Sequence, residues 1–275
     1  MRVAIIDAYS RQGRTSLAAA GCTPAGELYA RVASAHEPSY EYEILLADAA
    51  SRVLPNAVAA GDYDAVIWTG SELTVHKDDA EVRAQLELAR TLLRAGVRNF
   101  GSCWAAQLAV VACGGVCAPS PKGREFGIAR DITPNEAGAA HAMYRDKPPV
   151  FCSYASHADE ITTMPPGSIL LAGNAWSEVQ ALEVRAGEGV FTAMQYHPEY
   201  DLFEVARLGA VRGPGLVEQG LYESQDAVDA YFAKIESLHE SGDEALAKEL
   251  GVGQDLLDAD IRQREISNWL ASLRS

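Results

Sequence analysis

The chain has 275 residues, of which 48% are hydrophobic and 22% charged, and it carries a formal net charge of −15 with a pI near 4.8. That composition suits one large α/β domain with an appendage, and no apolar run approaches the ~18 residues of a membrane span. So acidic a surface repels phosphate backbones and argues against a nucleic-acid partner, and five scattered cysteines, an odd number, do not suggest a disulfide framework.

Residues 1–7 (Met-Arg-Val-Ala-Ile-Ile-Asp) are too short an apolar run for a signal peptide. They read as a first strand buried on both faces, so a cytoplasmic protein is expected. A polar, glycine-containing loop is expected over 8–15, where an open α/β sheet builds its ligand crevice. A helix over 27–35 leads to a second strand over 40–46. A third strand, 64–68, ends in the turn Thr69-Gly70-Ser71. Residues 78–95 form an amphipathic helix with Val82, Leu86, Ala89, Leu92 and Leu93 on one face and Gly96 after its end. Strands alternating with helices in this way give a mostly parallel central sheet with helices on both faces, a three-layer α/β sandwich.

From Cys117 onward short strands dominate, at 126–132, 149–154 and 168–172, followed by a closing pair at 179–184 and 189–196 joined by the turn Arg185-Ala186-Gly187-Glu188. Some of these are expected to be antiparallel. After Glu199 the chain turns helical, with amphipathic stretches over 227–238 and 259–273, while 202–221 stays unassigned. The division is therefore a domain over 1–204 and a helical C-terminal extension over 205–275. The extension is too apolar to remain disordered. Trp269 and Leu270 on its last stripe suit a buried contact, with the main domain or with a second copy of the chain, which leaves a homo-oligomer open.

The stretch 97–115 concentrates the chemistry: a short apolar strand, a Gly-Ser-Cys turn and a small-residue helix ending at Gly114-Gly115. Such an elbow lifts Cys103 clear of the sheet edge and aims the first helical amides at whatever the thiol attacks. The positive end of the helix favours the thiolate. Far along the chain, Met194-Gln195-Tyr196-His197-Pro198-Glu199 supplies an imidazole and, two residues later, a carboxylate. In extended backbone, positions i and i+2 project to the same side, so Glu199 can hold the His197 ring while both face Cys103, giving nucleophile, base and orienting acid. Cys113 and Cys117 have loose spacing and no second Cys/His pair, so no metal site is assigned, and no cofactor is expected.

Gly101-Ser102-Cys103-Trp104-Ala105-Ala106-Gln107 together with Gln195-Tyr196-His197-Pro198-Glu199 resembles the class I (triad) glutamine amidotransferase family, most of all the glutaminase half of GMP synthase, over roughly residues 1–204. The resemblance implies a flavodoxin-like fold, with Cys103 as nucleophile, His197 as base and Glu199 as orienting acid. It implies that Gly70 and Trp104 supply the oxyanion amides, and that Gln107 contacts the substrate. Ser156-His157-Ala158-Asp159 resembles the family's Ser-His-Gly-Asp segment, which makes Asp159 a partner for a substrate amino group and leaves His157 structural. The pattern departs at Ala105 and Ala106, where the family has Gly and His, and at Thr69 and Ser71, where it has Gly and Pro. These changes are expected to crowd the elbow and to loosen or reshape the pocket.

By resemblance, the expected activity is hydrolysis of L-glutamine to glutamate and ammonia through a γ-glutamyl thioester. No phosphate-cradling Gly-rich loop accompanies it, and the residues after the motif are too few for an ATP-using synthase. Three readings stay open: a glutaminase that serves a synthase or ligase partner protein, a hydrolase of N-substituted γ-glutamyl amides in amine catabolism, and a catalytically silent binding protein of the same fold.

Overall fold

The computed structural model describes residues 1–59 and 61–274. In chain order the first elements are β1 (Arg2–Asp7), α1 (Arg11–Ala19), α2 (Ala25–His36), β2 (Glu41–Leu46), α3 (Ala47–Ala59), β3 (Ala65–Trp68), α4 (Ala80–Arg94), β4 (Arg98–Ser102) and α5 (Trp104–Ala112). The strand-rich half follows: β5 (Val116–Pro119), β6 (Glu125–Pro134), α6 (Glu136–Ala140), a 3-10 turn at Ala142–Tyr144, β7 (Phe151–His157), β8 (Asp159–Thr163), β9 (Ile169–Gly173), β10 (Ala181–Ala186) and β11 (Gly189–Met194). The end is helical: α7 (Leu202–Glu218), α8 (Gln225–Ser241), α9 (Glu244–Leu250), α10 (Gln254–Leu257), α11 (Ala259–Arg262) and α12 (Arg264–Ser272).

Nine strands form one sheet in the order β2-β1-β3-β4-β11-β10-β9-β6-β7. The first five are mutually parallel, and β10, β9, β6 and β7 extend the sheet in antiparallel fashion. β5 and β8 make a separate antiparallel pair. The sheet is buried on both faces, which is why its central strands are continuous apolar runs. Val3, Ile5, Ala65 and Ile67 enter one core, and Ala4, Ile6, Val66 and Trp68 enter the other. On the second face Leu54 of α3, Leu92 of α4 and Leu108 of α5 fill the core.

The C-terminal extension completes the first face. Phe232, Ile266, Trp269 and Leu270 belong to the same apolar cluster as Val3 and Phe100, and the Phe100 and Trp269 rings stack at 4.9 Å. The apolar stripe of α12 is thus spent on the chain's own sheet. At ~1.5–3 kcal/mol for each large buried side chain, these helices are a structural layer. α7 runs straight through the division placed at residue 204.

Three local readings change. Residues 8–15 do not stay a loop, because α1 starts at Arg11 with the Ser10 hydroxyl accepting the Gly13 N–H at 3.0 Å; a polar segment with a good cap can be helical. Residues 202–221 are mostly helix despite Pro214, capped by Asp201 on the Glu204 N–H. The stripe over 259–273 breaks at Gln263 into α11 and α12, where Arg262 turns inward to the Leu256 carbonyl at 2.6 Å.

Candidate active site

β4 ends at Ser102 and α5 begins at Trp104, so the single residue Cys103 reverses the chain, with φ 52° and ψ −97°. Non-glycine residues rarely adopt such a backbone, and it persists only where the surroundings enforce it. Here the Cys103 N–H donates to the Met194 carbonyl at 2.7 Å. Gly101 makes the space, since a Cβ there would lie 2.2 Å from the Trp68 carbonyl oxygen and 2.6 Å from the Ala105 methyl. The crowding expected from Ala105 is therefore absorbed by the bare backbone of Gly101.

The chain brings His197 to the thiol just after β11. Its N–H donates to the Tyr154 carbonyl of β7 at 2.7 Å. The ring stands beside the Cys103 thiol on one side, where the thiol reaches the Ser156 carbonyl at 3.8 Å, and on the other Nδ1 donates to Glu199 Oε1 at 2.6 Å. Tyr200 lies flat on the imidazole at 4.0 Å between centroids and is hydrogen-bonded to Tyr9. Glu199 Oε1 also accepts from Ser102 Oγ at 2.8 Å, and Ser102 in turn accepts from the buried Tyr29 hydroxyl of α2 at 2.8 Å. A chain of hydrogen bonds thus runs from Tyr29 through Ser102 and Glu199 to His197, beside the sulfur.

Burial alone would lower the pKa of His197. The Glu199 carboxylate and the adjoining Cys103 outweigh it and push the imidazole up to about 9. The ring is therefore an imidazolium at neutral pH, beside the thiol and backed by an acid.

Gly70 stands against this pair: a Cβ there would be 2.9 Å from His197 Cε1 and 3.8 Å from Cys103 Cβ. The turn that carries it is tied rather than loosened. Thr69 Oγ1 accepts from the Ala8 N–H at 2.9 Å and Ser71 Oγ donates to the Ala8 carbonyl at 2.9 Å, so the two hydroxyls replacing Gly and Pro anchor the turn to the β1 loop. Trp104 is the first residue of α5, so its N–H has no intrahelical partner. Its indole donates to Gln85 at 2.8 Å, and Gln85 holds the Ala8 carbonyl at 3.1 Å.

A cavity of about 80 Å³ opens beside the sulfur, and Trp104, Gln107, Arg124, Asp159 and Arg212 line it with Cys103. Of the residues singled out from the sequence, Cys103, Trp104, Gln107 and Asp159 line it, while Gly70, His197 and Glu199 lie outside its lining. Asp159 faces it with His76 Nδ1 at 3.4 Å. His157 also borders the cavity, but its ring is engaged elsewhere: it bonds Glu125 at 2.8 Å and the Asp159 carbonyl at 2.9 Å, which fixes the β7–β8 turn. Burial pushes the Glu125 carboxyl up, but hydrogen bonds from His157, Asn174 and Gln180 outweigh it and hold the group below the usual range. A roomier cleft of about 400 Å³, between Tyr9, Arg14, Leu46 and Gln85, holds no nucleophile–base pair.

The family described as glutamine amidotransferase class-I matches residues 34–205. A gamma-glutamyl-L-1-hydroxyisopropylamide hydrolase from a Pseudomonas species is 32% identical over 218 residues, 78% of this chain and 73% of that protein. One subunit of the glutamine-hydrolysing GMP synthase of Ignicoccus hospitalis is 31% identical over 142 residues, 50% of this chain and 68% of that one. Among solved structures, a glutamine amidotransferase from Thermotoga maritima superposes with a TM-score of 0.63 at 14% identity, over 100% of this chain and 99% of that one. A second, from Methylobacillus flagellatus, gives 0.63 at 16% identity, over 98% and 93%. The flavodoxin-like sheet with its cysteine elbow is the fold shared with these glutamine amidotransferase structures. This chain belongs to the class I glutamine amidotransferase family.

Sequence reasoning missed Tyr29, Ser102, Tyr200, Arg124 and Arg212. Ser102 had a signal, standing next to Cys103 at a strand end. Tyr200 also had one, directly following Glu199 in the turn that carries His197, whereas Tyr29, Arg124 and Arg212 reach the site only through tertiary packing.

Proposed function

We propose that the chain hydrolyses N-substituted γ-glutamyl amides, and that Cys103, His197 and Glu199 carry the reaction. The supporting observation is the continuous contact from the Cys103 thiol through the His197 ring to Glu199, facing a cavity. The Cys103 thiolate attacks the γ-carbonyl carbon, and the Gly70 and Trp104 amides receive the oxyanion. Each such donor is worth roughly 3–4 kcal/mol of barrier. The His197 imidazolium protonates the departing amine as the C–N bond breaks, leaving a γ-glutamyl thioester. Neutral His197 then takes a proton from water, the hydroxide adds to the thioester, and glutamate leaves as the thiol is restored. Glu199 holds the ring in register through both steps, Gln107 contacts the γ-glutamyl group, and Asp159 pairs with its amino group.

The similarity to the Pseudomonas hydrolase runs over 78% of the chain, well beyond the half that matches the GMP synthase protein. That favours a substituted amide over glutamine itself. Glutaminase activity for a synthase or ligase partner is the second reading, favoured by the likeness to a component of GMP synthase. Glutamate release from γ-glutamyl-L-1-hydroxyisopropylamide, other γ-glutamyl alkylamides and glutamine decides between them. The proposal requires turnover of the amides in preference to glutamine and its loss in Cys103→Ala. Preference for glutamine, alone or with an added partner, overturns it. Failure of a glutamine-mimicking diazoketone to label Cys103 marks a silent binding protein.

A further inference from the structure

Two arginines look into the cavity beside Cys103, and they come from separate parts of the chain. Arg124 precedes β6, and Arg212 stands on α7, beyond the residues matched by the family. The acids of the same cavity have partners: Glu72 binds Ser10 and Ser71, and Asp159 faces His76. The guanidinium groups do not. Among the described residues neither is paired with a carboxylate, and the buried Arg212 Nε has no hydrogen-bond partner. Burial pulls the Arg124 guanidinium down and the charge of Arg212 adds to that, more than Cys103 and Asp159 offset by acting upward. Two cations that repel each other in a half-buried cleft, with the Arg212 Nε donor unmet, are a vacancy for an anion.

We propose that Arg124 and Arg212 form a carboxylate-binding subsite beside Cys103, which takes the α-carboxylate of the substrate. The assignment to an α-carboxylate rests on the γ-glutamyl reading above; the anion subsite itself does not. A γ-glutamyl group carries a carboxylate and an ammonium at the end remote from the scissile bond. The arginines answer the first and Asp159, on the same wall, the second. The planar fork of a guanidinium suits a carboxylate in a way a lysine would not. Because Arg212 stands on α7, the helical extension contributes to recognition as well as to the core, and its position selects substrates with a free α-carboxylate.

The test uses the full chain and two alkylating agents of nearly equal size, anionic iodoacetate and neutral iodoacetamide. Wild type alkylates with iodoacetate at a rate raised by the local positive potential, and this advantage shrinks with added salt. In Arg124→Gln and Arg212→Gln the iodoacetate rate falls about 10-fold or more, while the iodoacetamide rate stays near that of wild type and reports an intact elbow. In the hydrolysis assay the same variants raise KM for γ-glutamyl amides about 10- to 100-fold with a smaller change in kcat. An unchanged iodoacetate-to-iodoacetamide ratio in both variants overturns the subsite. An arginine-dependent ratio in a protein that hydrolyses no γ-glutamyl amide keeps the anion subsite and refutes the γ-glutamyl reading together with the α-carboxylate assignment.

Discussion

Glu199→Gln is the sharpest perturbation, because it removes one charge and keeps the size of the side chain. In the wild type the imidazole of His197 is raised from 6.5 to about 9. A gap of that size corresponds to about 3 kcal/mol of preference for the imidazolium in the folded state. Because the folded value lies above the unfolded one, this stabilisation is fully present below about pH 6.5 and is lost as pH rises through about 9. Burial is the largest influence on the ring and acts downward, so without the Glu199 charge the folded pKa falls and much of the pH-dependent stability disappears. Two assays read this. Urea unfolding at pH 6 and pH 10 gives a wild-type difference containing the His197 contribution, and the difference contracts by up to ~3 kcal/mol in Glu199→Gln. The pH profile of kcat/KM has its alkaline limb near 9 in wild type, where the proton donor is lost, and the limb moves toward neutrality in the variant. Turnover falls by ~10²–10⁴ as the ring loses its orienting partner. A limb that stays in place, with an unchanged stability difference, refutes the claim that Glu199 charges His197.

Gly70→Ala places a methyl 2.9 Å from His197 Cε1; activity drops about 100-fold while the thermal midpoint stays close to wild type, and activity within twofold of wild type contradicts the close approach. Ser102→Ala deprives Glu199 of one donor and Tyr29 of its acceptor; chemical denaturation registers a loss of ~1–3 kcal/mol, and Tyr29→Phe in the same background adds little further. Lys147→Met leaves Glu265, fully buried on α12, without the ammonium that it meets at 2.7 Å, at a cost of ~3–5 kcal/mol. The double variant Lys147→Met, Glu265→Leu recovers most of that loss in the same unfolding assay, and a double variant as unstable as the single contradicts the charge argument.

What was readable in the sequence was local. The elbow around Cys103 and the His197-x-Glu199 pair each sit within a few residues, and strand and turn geometry dictates where their side chains go. The parallel half of the sheet was legible for the same reason: apolar runs such as 3–6 and 65–68 have one stable place. What tertiary packing decides was not legible. Tyr29 reaches Ser102 from α2, and Arg212 reaches the cavity from α7. Thr69 and Ser71 looked like losses of Gly and Pro, and only the position of Ala8 shows that their hydroxyls fasten the turn. α1 was hidden by its polarity, and the break at Gln263 by a stripe that continues on both sides of it.

The extension links these observations. Its helices bury Trp269 against Phe100, and Glu265 of α12 accepts from the Tyr196 hydroxyl at 2.8 Å, one residue before His197. The layer that closes one face of the sheet is therefore fastened to the strand end that delivers the imidazole. α7 leaves that strand end immediately after Tyr200 and carries Arg212 to the cavity. Removing residues 259–274 uncovers Phe100 and takes the Glu265 acceptor from Tyr196 together, so stability and activity must fall in parallel. A truncated chain that unfolds at the wild-type midpoint, or that loses stability yet keeps the wild-type pH profile and rate, would separate the two roles and show that the helices cover the sheet without holding the site.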